Sequence, residues 1–134
     1  MLKLESKIGE TASSDKAVYD FLSDFNNFKD LIPADKVKNW ESTSDTCRFQ
    51  ADVVGDIGFK IIEKEPYKLI KVTGDENSKF DFFFWVQLKP REGNGTWIKL
   101  TLHANINAMM QMMAKKPLKG FLDMLVDRIC GFEF

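Results

Sequence analysis

From Val37 to Ala104 the apolar residues of this chain recur at every second position, and from Asn107 onward at every third or fourth. A period of two belongs to strands and a period near 3.6 to helices. A block of strands followed by one long helix is therefore the first constraint on the fold. The alternation is plainest in KFDFFFWVQL, Lys79 to Leu88, where Phe80, Phe82, Phe84, Val86 and Leu88 share one face. Phe83 and Trp85 stand on the other face, where a strand with one wet side would carry polar residues. Both faces of this strand have something to bury.

The neighbouring strands follow the same rule. VKNWES opens the block, and TCRFQADVV sets Cys47, Phe49, Ala51 and Val53 against Arg48, Gln50 and Asp52. A turn near Gly55 and Asp56 leads to IGFKII, with Ile57, Phe59 and Ile61 on one side. YKLIKVTG ends at Gly74 before the polar turn DENS. After the loop PREGNG, the strand WIKLTLHA alternates Ile98, Leu100, Leu102 and Ala104 with Trp97, Lys99, Thr101 and His103. Loops this short predict an antiparallel meander.

Before the block, MLKLESKI alternates Leu2, Leu4 and Ile8 with Lys3, Glu5 and Lys7 and predicts a half-buried strand. SSDKAVYDFLSDF predicts a helix capped by Ser13 or Ser14, with Val18, Phe21, Leu22 and Phe25 as its apolar stripe. A second short helix starts at Asn26 or Asn27, turns Phe28, Leu31 and Ile32 inward and ends at Pro33. After the block, Asn107 caps the terminal helix, whose stripe runs through Met109, Met112, Met113, Leu118, Phe121, Leu122, Leu125, Val126 and Ile129. Pro117 either kinks that helix or starts a second one. Helices segregated from an antiparallel sheet make an α+β fold. The expected form is a curved seven-stranded sheet wrapped around the C-terminal helix, with residues 1–134 as one domain.

Composition narrows the function. A chain of 134 residues buries roughly 68% of its unfolded surface, enough for a core. The net charge of −1 supplies no basic excess for phosphates, so nucleic acid is not an expected partner. MLKLESKIGE lacks the apolar region of a signal peptide, and no run reaches the length of a transmembrane segment. A cytoplasmic protein is expected. Two cysteines and one histidine make neither a disulfide framework nor a metal cluster.

The order of elements, the helix pair AVYDFLSDFNNFKDLIP and the final KPLKGFLDMLVDRI resemble the START-like or Bet v 1-like superfamily. Within it they are most similar to the small bacterial polyketide cyclase/dehydrase and lipid-transport proteins grouped as SRPBCC. The resemblance implies a helix-grip fold with a cavity between sheet and C-terminal helix, used by family members for lipids, polyketides, hormones or quinones. Inward parity assigns Phe49, Phe59, Phe80, Phe82, Phe84, Leu100 and Leu102 to the sheet side of such a cavity. Met109, Met112, Met113, Phe121 and Leu125 are assigned to the helix side. These residues form either a filled core or the wall of an apolar pocket.

No catalytic constellation accompanies them. His103 has outward parity and is expected to be exposed, and Cys47 points inward with no base nearby in sequence. Tyr19, Tyr67, Asn39 and Gln111 are the polar candidates for a cavity. On the outer face, Phe83, Trp85 and Trp97 are candidates for an interface, including a homodimer, with Trp85 and Trp97 expected close together across their hairpin. Three functions stay open: a carrier of a small hydrophobic molecule, a cyclase/dehydratase-like enzyme, and a protein-interaction module. No cofactor is expected in the first.

Overall fold

The computed structural model describes residues 1–32, 35, 37–51, 55–76, 78, 80–93, 95–132 and 134. The expected helix end at Pro33, the facing of Asp52 and Val53, and the side chain of Ala51 lie outside these residues.

The N-terminal strand is two pieces, β1 (Leu2–Glu5) and β2 (Gly9–Thr11). Two helices follow, α1 (Asp15–Leu22) and α2 (Phe25–Phe28), and then a 3₁₀ turn over Lys29–Leu31. The strands β3 (Val37–Ser42), β4 (Thr46–Ala51), β5 (Gly55–Glu65), β6 (Leu69–Gly74), β7 (Phe82–Pro90) and β8 (Thr96–Ala104) lead to α3 (Ala108–Gly131). Neighbouring strands pair antiparallel in the order β1-β8-β7-β6-β5-β4-β3, and β2 also pairs with β8. The protein is thus an α+β helix-grip fold.

The break in the first strand has a local cause. Between the pairs Glu5–Thr101 and Gly9–Ile98, the first strand advances four residues while β8 advances three. One extra residue reverses the side-chain parity. Ile8, expected inside, is therefore 64% exposed. Ser6 is buried in its stead; its Oγ accepts the Leu100 N–H at 2.8 Å, and its own N–H donates to the Leu100 carbonyl at 2.8 Å.

The helix caps are those of short polar residues. Ser14 Oγ accepts the Ala17 N–H at 3.1 Å. Asp24, rather than Asn26 or Asn27, starts α2 by accepting the Asn26 N–H at 2.9 Å. Asn107 caps α3 through the Met110 N–H at 2.9 Å. Phe28, Leu31 and Ile32 are buried as their spacing predicts.

The core joins Val18, Leu22 and Phe25 to Ile98 and Leu100 of β8, Val86 of β7, and Leu122, Leu125, Val126 and Ile129 of α3. Helix α3 packs on β1, β2, β8 and the 3₁₀ turn. It continues through Pro117, which has no N–H to give the Met113 carbonyl. No helix among the described residues is long and apolar enough to cross a membrane.

Candidate functional site: the inner sheet face

The register aligns the inward side chains in rows across the sheet. One row runs Leu4–Leu102–Phe84–Val72–Ile61, and a shorter one Leu100–Val86–Ile70. A chain of ring contacts crosses the face beside them. Phe80 lies 5.6 Å from Phe82, Phe82 5.4 Å from Phe59, Phe59 5.6 Å from Phe49, and Phe49 5.1 Å from Trp40. These are centroid distances at which aromatic pairs attract.

Phe49, Phe82 and Leu100 are buried, whereas Phe59, Phe80, Phe84 and Leu102 are only half-buried. The sheet side of the expected site is therefore one contiguous surface. The helix side is not. Leu125 is buried, but Met109, Met112 and Met113 are 72, 84 and 70% exposed, and Phe121 is also exposed. With that exposure, these three methionines do not fill a core against the inner-face rings. The part of α3 that carries them precedes the segment docked through Leu122, Leu125, Val126 and Ile129.

Trp40, to which the alternation assigns no facing, also lies on this face. Between Lys38–Gln50 and Glu41–Arg48, β3 advances three residues against two on β4. Asn39 takes a left-handed φ of 56° there, and its Nδ2 donates to Gln50 Oε1 at 2.9 Å. The bulge turns Trp40 onto the inner face, stacked 14° from parallel on Phe49. Its Nε1 is buried and has no acceptor among the described residues. No signal in VKNWES marks that bulge.

The other polar candidates have structural partners. Tyr19 is buried edge-on to Tyr67 at 5.6 Å, and burial pushes its hydroxyl pKa up. Gln111 Nε2 donates to the Ile106 carbonyl at 2.8 Å. Burial pushes the Cys47 thiol up to about 12, which removes the thiolate needed for nucleophilic chemistry near neutral pH. Cys130 is raised as well, again mainly by burial. Among the described residues no three His, Cys, Asp or Glu side chains gather as metal ligands.

On the outer face the expected Trp85–Trp97 contact is absent. Trp85 pairs with Thr101 and Trp97 with Lys89, four residues apart along β8. Trp85 instead touches Phe83 at 6.0 Å and His103 at 4.7 Å, so His103 is half-buried rather than exposed. Lys71 Nζ sits 4.6 Å over Phe83 and 5.5 Å from Trp85, and Arg91 lies 5.3 Å over Trp97.

With this geometry in place, the family follows. The sequence profile of CoxG, a carbon monoxide dehydrogenase subunit, matches residues 9–131. The chain belongs to the CoxG family. Solved structures share its START-like fold at low identity. The protein XoxI from Bacillus cereus superimposes with a TM-score of 0.77 at 13% identity, over 97% of this chain and 94% of its own. A START superfamily protein from Mycobacterium smegmatis gives 0.68 at 15%, over 95% and 96%. A protein from Thermus thermophilus gives 0.75 at 13%, over 96% and 94%. No curated protein sequence matches the chain.

Proposed function

We propose that this CoxG-family protein binds and carries a small hydrophobic molecule, of the lipid, quinone or polyketide kind, along the inner sheet face. One observation carries the reading. Helix α3 packs on β1, β2 and β8, and the inner-face side chains Ile61, Phe59, Phe80, Phe84 and Leu102 are left half-buried. A contiguous apolar face of this kind, not fully covered by its own chain, suits an apolar ligand held by shape with few polar contacts. Trp40 Nε1 supplies one donor without a partner among the described residues beside that face.

A dimer through Phe83, Trp85 and Trp97 draws less support, because Trp97 stands apart and each ring has a cation over or beside it. An enzymatic reading would need an activated group on the inner face, and the inward Cys47 is held protonated.

The test is native mass spectrometry of protein purified from cells, with solvent extraction of the same sample, followed by titration with a hydrophobic fluorescent probe. A non-covalent adduct lost on denaturation is expected, and Phe84→Ala should weaken the probe by roughly tenfold, the effect of losing one to two kcal/mol of apolar contact. A clean mass together with equal probe binding by wild type and variant rejects the reading.

A further inference from the structure

A groove of about 430 Å³ lies between β1 and the first half of α3, lined by Lys3, Leu4, Glu5, Met112, Lys115, Lys116 and Lys119. Its exposed apolar side chain is Met112, while Leu4 beside it is 6% exposed and belongs to the core. Leu4 pairs with the half-buried Leu102 of the inner-face row, whereas Lys3 and Glu5 lie on the opposite side of β1, so the groove runs along the sheet edge one strand away from the surface described above. Its charges are unbalanced. Lys119 is held by Asp123 at 3.0 Å, and Glu5 is taken by Lys99 at 3.2 Å. Lys3, Lys115 and Lys116 have no ion-pair partner among the described residues. In a chain of net charge −1, three uncompensated ammonium groups around one concavity are a local reversal of sign. Lysines brought together on one groove repel one another, and an anion placed among them relieves that repulsion.

We propose that this groove is the head-group site for an anionic amphiphile: a carboxylate or phosphate among Lys3, Lys115 and Lys116, and its hydrocarbon chain past the exposed Met112 toward the half-buried Leu102 and Phe84. The inference rests on the carrier reading and adds the sign of the ligand's head. A single bound molecule is the occupant argued for, because the lysines line an edge groove with one exposed apolar side chain, Met112, rather than a broad apolar face. Lysine also fits a head that needs charge without a fixed planar geometry.

The experiment compares dodecanoate, dodecyl phosphate and dodecanol, each below its aggregation concentration, by intrinsic tryptophan fluorescence at low and high salt. The two anions are expected to bind about tenfold more tightly than the alcohol at low salt, and high salt should erase most of the difference. The Lys115→Gln, Lys116→Gln double variant changes exposed side chains, and its circular dichroism should match wild type. It should lose about fivefold for the anions and leave dodecanol unchanged. The tighter of the two anions names the head.

Equal binding of all three compounds, with the double variant silent, overturns the head-group site and leaves the carrier reading standing. If no compound binds while the hydrophobic probe still does, the head-group site is overturned and the carrier reading stands; if the probe does not bind either, both fail. Phosphatidylglycerol vesicles supply the remaining arm. If they sediment wild type but not the double variant, while dodecanoate binds both alike, the lysines serve a membrane contact and the groove assignment is wrong.

Discussion

The two halves of α3 are built from similar residues and do different things. Beyond Pro117, Leu122, Leu125, Val126 and Ile129 are buried, Val126 lies against Gly9 of β2, and Arg128 Nε donates to the Leu31 carbonyl of the 3₁₀ turn. Before Pro117, Met109, Met110, Met112 and Met113 are exposed and Lys115 and Lys116 stand in solvent. One half is anchored by the fold, and the other depends on its cap and on backbone hydrogen bonds. The contrast teaches that apolar content does not decide burial; an unbroken apolar stripe in phase with the docked face is needed. The anchored residues lie at i, i+3, i+4 and i+7. Seven residues before Leu122, Leu125 and Val126 stand Lys115, Leu118 and Lys119, and a further seven before the last two stand Gln111 and Met112. Lys115, Lys119 and Gln111 thus interrupt the docking stripe, and Met112, in phase with it but beyond the break, stays exposed. Met109, Met113, Pro117 and Phe121 are spaced by four, and at about 100° per residue each step of four drifts some 40° around the axis.

The largest effect should come from the anchored half. Leu125→Ala removes a buried side chain from the core and should cost about 2–5 kcal/mol, seen as a lower urea midpoint at unchanged slope. A loss under about 1 kcal/mol, the range of surface substitutions rather than core ones, would mean that this half is not the anchor.

A smaller effect is expected where the anchored half meets β2. Gly9 is the close approach there: a Cβ would overlap Val126 Cγ1 and come within 2.7 Å of Cys130 Sγ. Gly9→Ala should therefore destabilise by about 1–3 kcal/mol, the usual cost of overpacking. The companion Gly120→Ala, on the exposed side of α3 where an added Cβ meets nothing within 4 Å, is the control and should stabilise slightly through helix propensity. Equal behaviour of the two alanines in the same urea titration would place α3 further from β2 than the contact at Val126 requires.

These comparisons also mark what the sequence could and could not disclose. Parity assigned Phe82, Val86, Leu88, Ile98 and Leu100 to the inside, and all are buried. It failed at Ile8 and was silent on Trp40, because single extra residues in β1–β2 and β3 reverse the alternation downstream. Ser6 and Asn39 hold those irregularities by side-chain hydrogen bonds, which a pattern of apolar and polar residues does not register. The Trp85–Trp97 separation depended on register, fixed by the pairing of Pro90 with Thr96 across the turn. The groove lysines were legible as charges, but their gathering around Leu4 requires β1 to lie beside α3, a contact between residues more than a hundred positions apart. The phase drift along α3, by contrast, was present in the sequence and needed only to be followed residue by residue from the docked end.

The smallest expected effect lies in the uncovered half, and it is the sharpest test of the comparison. Met112→Ser and Met113→Ser alter side chains that are 84 and 70% exposed, so each should change stability by no more than about 0.5 kcal/mol. Serine is the informative replacement because it removes the apolar chain and keeps a small polar group that solvent accepts. If either variant costs about 1 kcal/mol or more in urea, beyond the surface range, the first half of α3 folds down onto the inner face in solution, and the uncovered sheet of the carrier reading is closed. If both are neutral in stability while Met112→Ser alone weakens dodecanoate, the methionine beside the lysines contributes through the ligand and not through the fold. Met113 is the internal reference, since it is exposed on the same helix and does not line the groove.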